Sequence, residues 1–263
     1  INLTNLSFDV SELEKAITSK TRAIFITHVL GLNGITEKLL ELCNKYDIKL
    51  IEDVCESHGA TYKNQRLGSI GFASNFSFYF AHHMSTIEGG MVCTNNIEYY
   101  ELCRSLRSHG MVREFDDPEI KSFYTTNFPK LNPDFIFVGP AHNFRSTELN
   151  AVLGLSQIEK LDSNNKIRTE NFDYFIKNLD SSKYHTDFDM EGQVNYAFIV
   201  IQKSSNWELR DKIEKMLDDN KIEFRRGLSG GGNQLRQPHF KDWNIPFDQF
   251  EVVEHVSDFS WYI

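Results

Sequence analysis

The chain has 263 residues, 40% of them apolar and 13% aromatic, enough to bury a sizeable core and too many for wholesale disorder. Its formal charge of −9 excludes the basic face that nucleic-acid binding requires and suits a protein that handles a small molecule. No apolar run approaches the ~20 residues that span a bilayer, and the opening INLTNLSFDV has neither the basic and apolar regions of a signal peptide nor an initiator Met.

Val10 to Ser19 has helical character and leads into AIFITHVLG, a predicted strand. Thr36 is placed to cap TEKLLELCNKY, in which Leu39, Leu40, Leu42 and Cys43 share an apolar side. IKLIEDVCE is a β-rich run with Asp53 at its end, SNFSFYF and GGMVCT follow as strands, and Ile97 to Ser108 as a helix. Strands alternating with helices predict an α/β fold whose sheet is largely parallel and covered on both faces. Such sheets bind ligands beyond the carboxyl ends of their strands, where Asp53, His82 and His83 all fall. Arg113 to Pro140, rich in Asp, Asn, Pro and Phe, reads as a long functional loop. Ser146 is the expected N-cap of STELNAVLGLSQIEKL, with Glu148 in its first turn. DSNNKIRTEN reads as a charged linker, and NYAFIVIQK, WELRDKIEKMLDDN and KIEFRR as strand, helix and strand of a small α+β domain. The expected division is 1–161 and 162–263. Cys43, Cys55, Cys93 and Cys103 fit no C-x-x-C or zinc spacing and read as reduced core thiols of a cytoplasmic protein.

FSFYFAHHMSTIEGG, residues 76–90, ends a strand-like run on two adjacent histidines and turns into paired glycines. In order with LIEDVCESHGATYKNQRLGSIG, LRSHGM and HNFRSTELNAVLGLSQIEKL, it resembles the DegT/StrS-like, fold-type I, PLP-dependent sugar aminotransferases. The resemblance covers nearly the whole chain and implies a PLP-transferase large domain with a smaller α+β C-terminal domain. The family's first hundred or so residues, with their phosphate-cradling turn, have no counterpart here. Six residues before Glu88, where the family carries its catalytic lysine, stands His82, and no lysine occurs between Lys63 and Lys121. HH-x-x-x-x-EGG resembles a subgroup, the 3-dehydratases of nucleotide-linked 4-keto-6-deoxysugars, with GDP as the nucleotide the resemblance favours.

A lysine amine condenses with an aldehyde cofactor and tethers it. Imidazole cannot, yet its ordinary pKa near ~6.5 lets it move protons at working pH. The resemblance therefore implies that His82 is the catalytic acid–base beside a cofactor held as PMP. It would take a proton from the cofactor as the sugar's C3 hydroxyl leaves, and glutamate would recharge PLP to PMP. His83 is expected to be structural or supporting, since adjacent strand residues point apart. The same resemblance implies that Asp53 pairs with the pyridinium nitrogen and that Glu56 lies at the ring, where most members carry glutamine. It implies that Ser77 bonds the phosphate and that Asn143 reaches the phosphate of a neighbouring subunit, making a homodimer the expected active unit. Arg145 and His109 face substrate or are surface residues.

EFRRGLSGGGNQLRQPHF resembles the family's R-P-x-x-x-GN-x-x-x-x-P loop, with Arg226 in place of proline. Arg225, Arg226, Arg236 and Asn233 are its candidates for a nucleotide diphosphate, a solvated basic loop being the alternative. Cys55 stands alone where an iron–sulfur relative has one of four ligands, and one thiolate cannot hold a cluster; no cluster and no metal is expected. Two other functions stay open: a nucleotide-sugar aminotransferase whose lysine is lost or relocated, and a non-catalytic ligand-binding protein of PLP fold. Neither nucleic acid nor membrane is an expected partner.

Overall fold

Thr36 accepts a hydrogen bond from the Leu39 N–H at 3.2 Å and starts a helix that buries Leu39, Leu42 and Cys43. The apolar spacing and the cap thus agree on one element. The computed structural model describes all residues, 1–263. In chain order its elements are α1 (Val10–Ala16), β1 (Ala23–Thr27), α2 (Glu37–Tyr46), β2 (Lys49–Asp53), the hairpin β3 (Thr61–Tyr62) and β4 (Gln65–Arg66), β5 (Ala73–Ser77) and β6 (Gly90–Thr94). There follow α3 (Ile97–Leu106), α4 (Pro118–Asn127), α5 (Glu148–Asn178), β7 (Ile199–Ile201), α6 (Trp207–Asp219), β8 (Arg225–Arg226), α7 (Glu251–Phe259) and β9 (Ser260–Tyr262).

The principal sheet has the order β1-β2-β5-β6, with the first three strands parallel and β6 antiparallel. Ile24, Ile26 and Leu50 bury one side of it against Leu39 and Cys43 of α2. At ~1.5–3 kcal/mol for each fully buried aliphatic side chain, this cluster holds the three parallel strands in register, Thr27 beside Asp53 and Asp53 beside Asn75. A second, antiparallel sheet has the order β7-β9-β8. Ile199 and Ile201 pack on Phe172 of α5, while Val200 and Trp261 pack on Ile213 and Leu217 of α6.

Three expectations change. The stretch from Arg113 to Pro140 contains α4, started by the Asp117 side chain on the Glu119 N–H at 2.7 Å with Pro118 in its first turn. The cap of α5 is Thr147 rather than Ser146; the Asn150 Oδ1 accepts from the Thr147 N–H at 3.1 Å and from its hydroxyl at 2.7 Å. DSNNKIRTEN is helical, so Asp162 lies inside the 31-residue α5. Its polar composition concealed two inward anchors: Phe172 in the core, and Asn165, whose Nδ2 donates to the His58 carbonyl at 2.7 Å. No helix is long and apolar enough to cross a membrane.

Candidate active site

The carboxyl ends of β1, β2 and β5 meet at Thr27, Asp53 and Ser77. Asp53 Oδ1 accepts from the Cys55 N–H at 3.1 Å and from Asn75 Nδ2 at 3.0 Å. Burial, then the Asp53 carboxylate, pushes the Cys55 thiol up to about 12, so it stays protonated and unreactive. Glu56 reaches back under the sheet ends, where Oε2 accepts from the Leu30 N–H at 2.9 Å and Oε1 from the Ser229 hydroxyl at 2.6 Å. Burial raises the Glu56 carboxyl against these two donors. Leu30 presents its N–H from a left-handed backbone, φ 52°.

After β5 the chain turns, with the His82 N–H on the Tyr79 carbonyl at 3.0 Å. The His82 ring sits among Tyr79, Tyr196 and His58, with centroids 5.7, 5.6 and 6.1 Å away. Its Nδ1 is buried without a protein partner. Burial lowers its pKa, and the nearby Asp53 carboxylate opposes that shift. His83 is buried and its Nε2 donates to the Val194 carbonyl at 2.8 Å; burial takes it down to about 4. His58, only 2% exposed, is held down at about 3, first by burial and then by the two other imidazoles. The Ser77 hydroxyl accepts from the Tyr79 N–H at 3.3 Å. The following turn is pinned by α5, whose Asn150 Nδ2 donates to the Thr86 and Glu88 carbonyls at 3.0 and 3.1 Å. Gly89 has φ 154°, and a Cβ there would meet Thr86 Oγ1 at 2.6 Å, so a side chain would force this turn apart.

Asp53, Glu56, Ser77 and His82 are thus brought to the ends of the parallel strands, and the remaining predicted residues lie elsewhere. His109 donates its N–H to the His142 carbonyl at 2.6 Å, and Asn143 bridges to Ser108 while accepting from Arg145 Nε at 3.1 Å. Asn143 and Arg145 are exposed. Arg226 makes a two-pronged pair with Glu214, which also accepts from the Trp261 indole N–H at 2.9 Å. Asn233 is buried and donates to Glu254 at 2.6 Å, and Arg236 pairs with Glu254 and Asp258. Arg226, Asn233 and Arg236 line a polar recess of about 350 Å³. All three arginines expected to meet phosphates therefore have carboxylate partners within the chain, Arg225 facing Glu223 at 3.5 Å.

Several contributors escaped the sequence. Fully buried Glu52 accepts from the Gly68, Ile70 and Gly71 N–H groups at 2.7, 2.9 and 2.6 Å and contacts His28 Nε2 at 3.4 Å. Because the Gly34 N–H donates to His28 Nδ1, the ring's own proton lies on Nε2, facing Glu52. Burial acts on Glu52 most strongly and upward, yet His28 and the backbone donors outweigh it and leave the carboxyl lowered. Tyr196 and Ser229 join the site from more than a hundred residues away, so no local pattern signals them.

Residues 1–240 match the DegT/DnrJ/EryC1/StrS aminotransferase family. A protein of Yersinia pseudotuberculosis named GDP-4-keto-6-deoxy-D-mannose 3-dehydratase is 33% identical over 98% of this chain and 64% of its own length. One of the same name from Escherichia coli O55:H7 is 30% identical over 88% of this chain and 59% of its own. The chain thus spans about three fifths of these relatives. A solved structure of the E. coli GDP-4-keto-6-deoxy-D-mannose-3-dehydratase with bound hydrated PLP superposes with a TM-score of 0.83 at 26% identity, over 100% of this chain and 68% of that one. The fold is the fold-type I PLP aminotransferase fold.

Proposed function

The chain belongs to the DegT/DnrJ/EryC1/StrS aminotransferase family, and from that premise we propose that it is a lyase: a PMP-dependent 3-dehydratase of a GDP-linked 4-keto-6-deoxyhexose. Its product would enter deoxysugar synthesis for a surface polysaccharide such as lipopolysaccharide O-antigen. The observation that carries this reading is the identity of the side chain in the turn after β5. An imidazole, His82, stands there beside Tyr196 and within the influence of the Asp53 carboxylate, while the amine nearest before it in sequence, Lys63, faces Glu37 at the surface.

The residues present fit a pyridoxal-type cofactor. Asp53 pairs with no cation and engages only one of its oxygens within the chain, as a partner for a pyridinium N–H requires. The Ser77 hydroxyl lies at the strand end. When bound, PMP supplies an electron sink that makes loss of a proton and of a C3 hydroxyl accessible. Asp53 keeps the ring nitrogen protonated, Ser77 binds the phosphate, and Glu56 lies at the ring. Exposed Asn143 reaches the phosphate of a neighbouring subunit, so the active unit is a homodimer. His82 takes up the proton and returns one to the leaving hydroxyl. Arg145, His109, Arg226 and Asn233 bind the nucleotide sugar; Arg226 exchanges Glu214 for a phosphate oxygen as it does so. Glutamate would serve as the amino donor, and the setting would be cytoplasmic. Residues 1–161 form the remainder of the cofactor domain and 162–263 the small domain, with α5 continuous across the division.

The test is product analysis. Incubated with PLP, glutamate and GDP-4-keto-6-deoxymannose, the chain should release ammonia and a 3-deoxy-4-keto sugar. His82→Gln should lower the rate ~10²–10⁴-fold while leaving PMP binding intact. A stable 4-amino sugar would assign the aminotransferase reading instead, and absence of any spectral change on titration with PMP would assign the non-catalytic one.

A further inference from the structure

Three imidazoles share one buried pocket beneath the sheet ends. His58 lies 6.1 Å from His82 and 5.8 Å from His83, centroid to centroid. The remaining walls are Phe76 and Phe78 beside His58, and Tyr196 beside both His82 and His83. Four ring nitrogens in this pocket are buried without a protein partner: both of His58, Nδ1 of His82 and Nδ1 of His83. Each neutral imidazole carries one N–H and one lone pair, and leaving these unmatched costs ~1–3 kcal/mol apiece. Hence the assignment of protons among the rings is constrained.

His83 is the fixed point. Its Nε2 donates to Val194, so its Nδ1 is a lone pair and cannot donate to a neighbour. His58, with neither nitrogen bonded to the protein, offers one N–H and one lone pair in either tautomer. His58 and His83 thus bring two lone pairs and one N–H to the pocket, and an N–H on His82 Nδ1 balances them. The ring separation leaves no direct bond and suits one bridging water with several polar partners.

We propose that His58 is a positioning residue: through one ordered water it accepts the Nδ1 proton of His82, fixing that ring in the Nδ1–H tautomer and leaving Nε2 as the basic nitrogen. The value of that arrangement rests on the dehydratase reading, in which a base with a free Nε2 lone pair is wanted. The tautomer itself does not.

Nitrogen-15 NMR of the full chain labelled at histidine, without cofactor or substrate and near pH 7, decides the matter. His82, identified by its loss in His82→Gln, should show a protonated Nδ1 and an unprotonated Nε2. His58→Phe should shift its tautomer ratio toward Nε2–H by about fivefold, the equivalent of ~1 kcal/mol for one lost hydrogen bond. His58→Gln, which keeps an acceptor, should restore it. An Nε2–H tautomer in the unaltered protein overturns the proposal whether or not the variants fold, as does a ratio that His58→Phe leaves unchanged. Because the readout involves no turnover, its failure is distinct from failure of the proposed reaction.

Discussion

His58 and His83 are held neutral inside the fold, at about 3 and about 4, against 6.5 in the ordinary side chain. Their linkage to stability has a definite sign. Above pH ~6.5 neither state binds the extra proton and the pair contributes nothing. As pH falls from there toward 4, the unfolded chain takes up protons that the folded chain refuses, so stability drops by up to ~1.4 kcal/mol per pH unit for each ring. Urea unfolding at a series of pH values through that window should show the decline, and His58→Phe should flatten it; a pH-independent midpoint would contradict the burial of these rings. Sequence predicted His82 at a strand end; in the structure β5 stops at Ser77 and His82 lies in the turn that follows. It separated the roles of the two adjacent histidines but not the partner of the second, since the Val194 carbonyl that takes His83 lies on a remote segment.

Elements meet the site through a few polar ties. Glu52 in β2 holds the turn before β5 by three backbone donors, so Glu52→Ala should cost ~3 kcal/mol or more in urea unfolding by leaving them unpaired. Glu52→Gln, retaining one acceptor oxygen, should cost less. The helix α2 provides a milder case: Thr36→Ala removes its cap and should cost ~1 kcal/mol. At the other side, Ser229 ties the glycine-rich loop to Glu56. Ser229→Ala should speed amide hydrogen exchange of residues 228–233 by about fivefold, the loss of one hydrogen bond, and unchanged exchange would show that the loop is held elsewhere. The helical period of α2 and α6 and the cap of α2 were legible because they are local. The middle of α5 was not, since a run with the composition of a linker stays helical when Phe172 and Asn165 are gripped from outside.

At the scale of the molecule, the chain leaves a broad apolar surface open beside Asn143. Phe144, Leu149, Val152 and Leu155 are 71%, 78%, 64% and 67% exposed, and apolar surface gathered in this way marks an interaction face. Sedimentation equilibrium should find a dimer, and Leu149→Glu with Val152→Glu should convert it to monomer; a monomeric unaltered chain would remove the basis for Asn143 serving a second subunit. What the order of residues determined by itself was the alternation of strand and helix, the strand end carrying Asp53, and the replacement of an amine by an imidazole, because each is a matter of local period or of chemical identity. The tertiary structure alone decided which polar groups face one another: His28 on Glu52, Ser229 on Glu56, Tyr196 on His82, Glu214 on Arg226. Such pairings join segments up to 173 residues apart, and they arise only when the burial of apolar side chains has fixed where those segments lie.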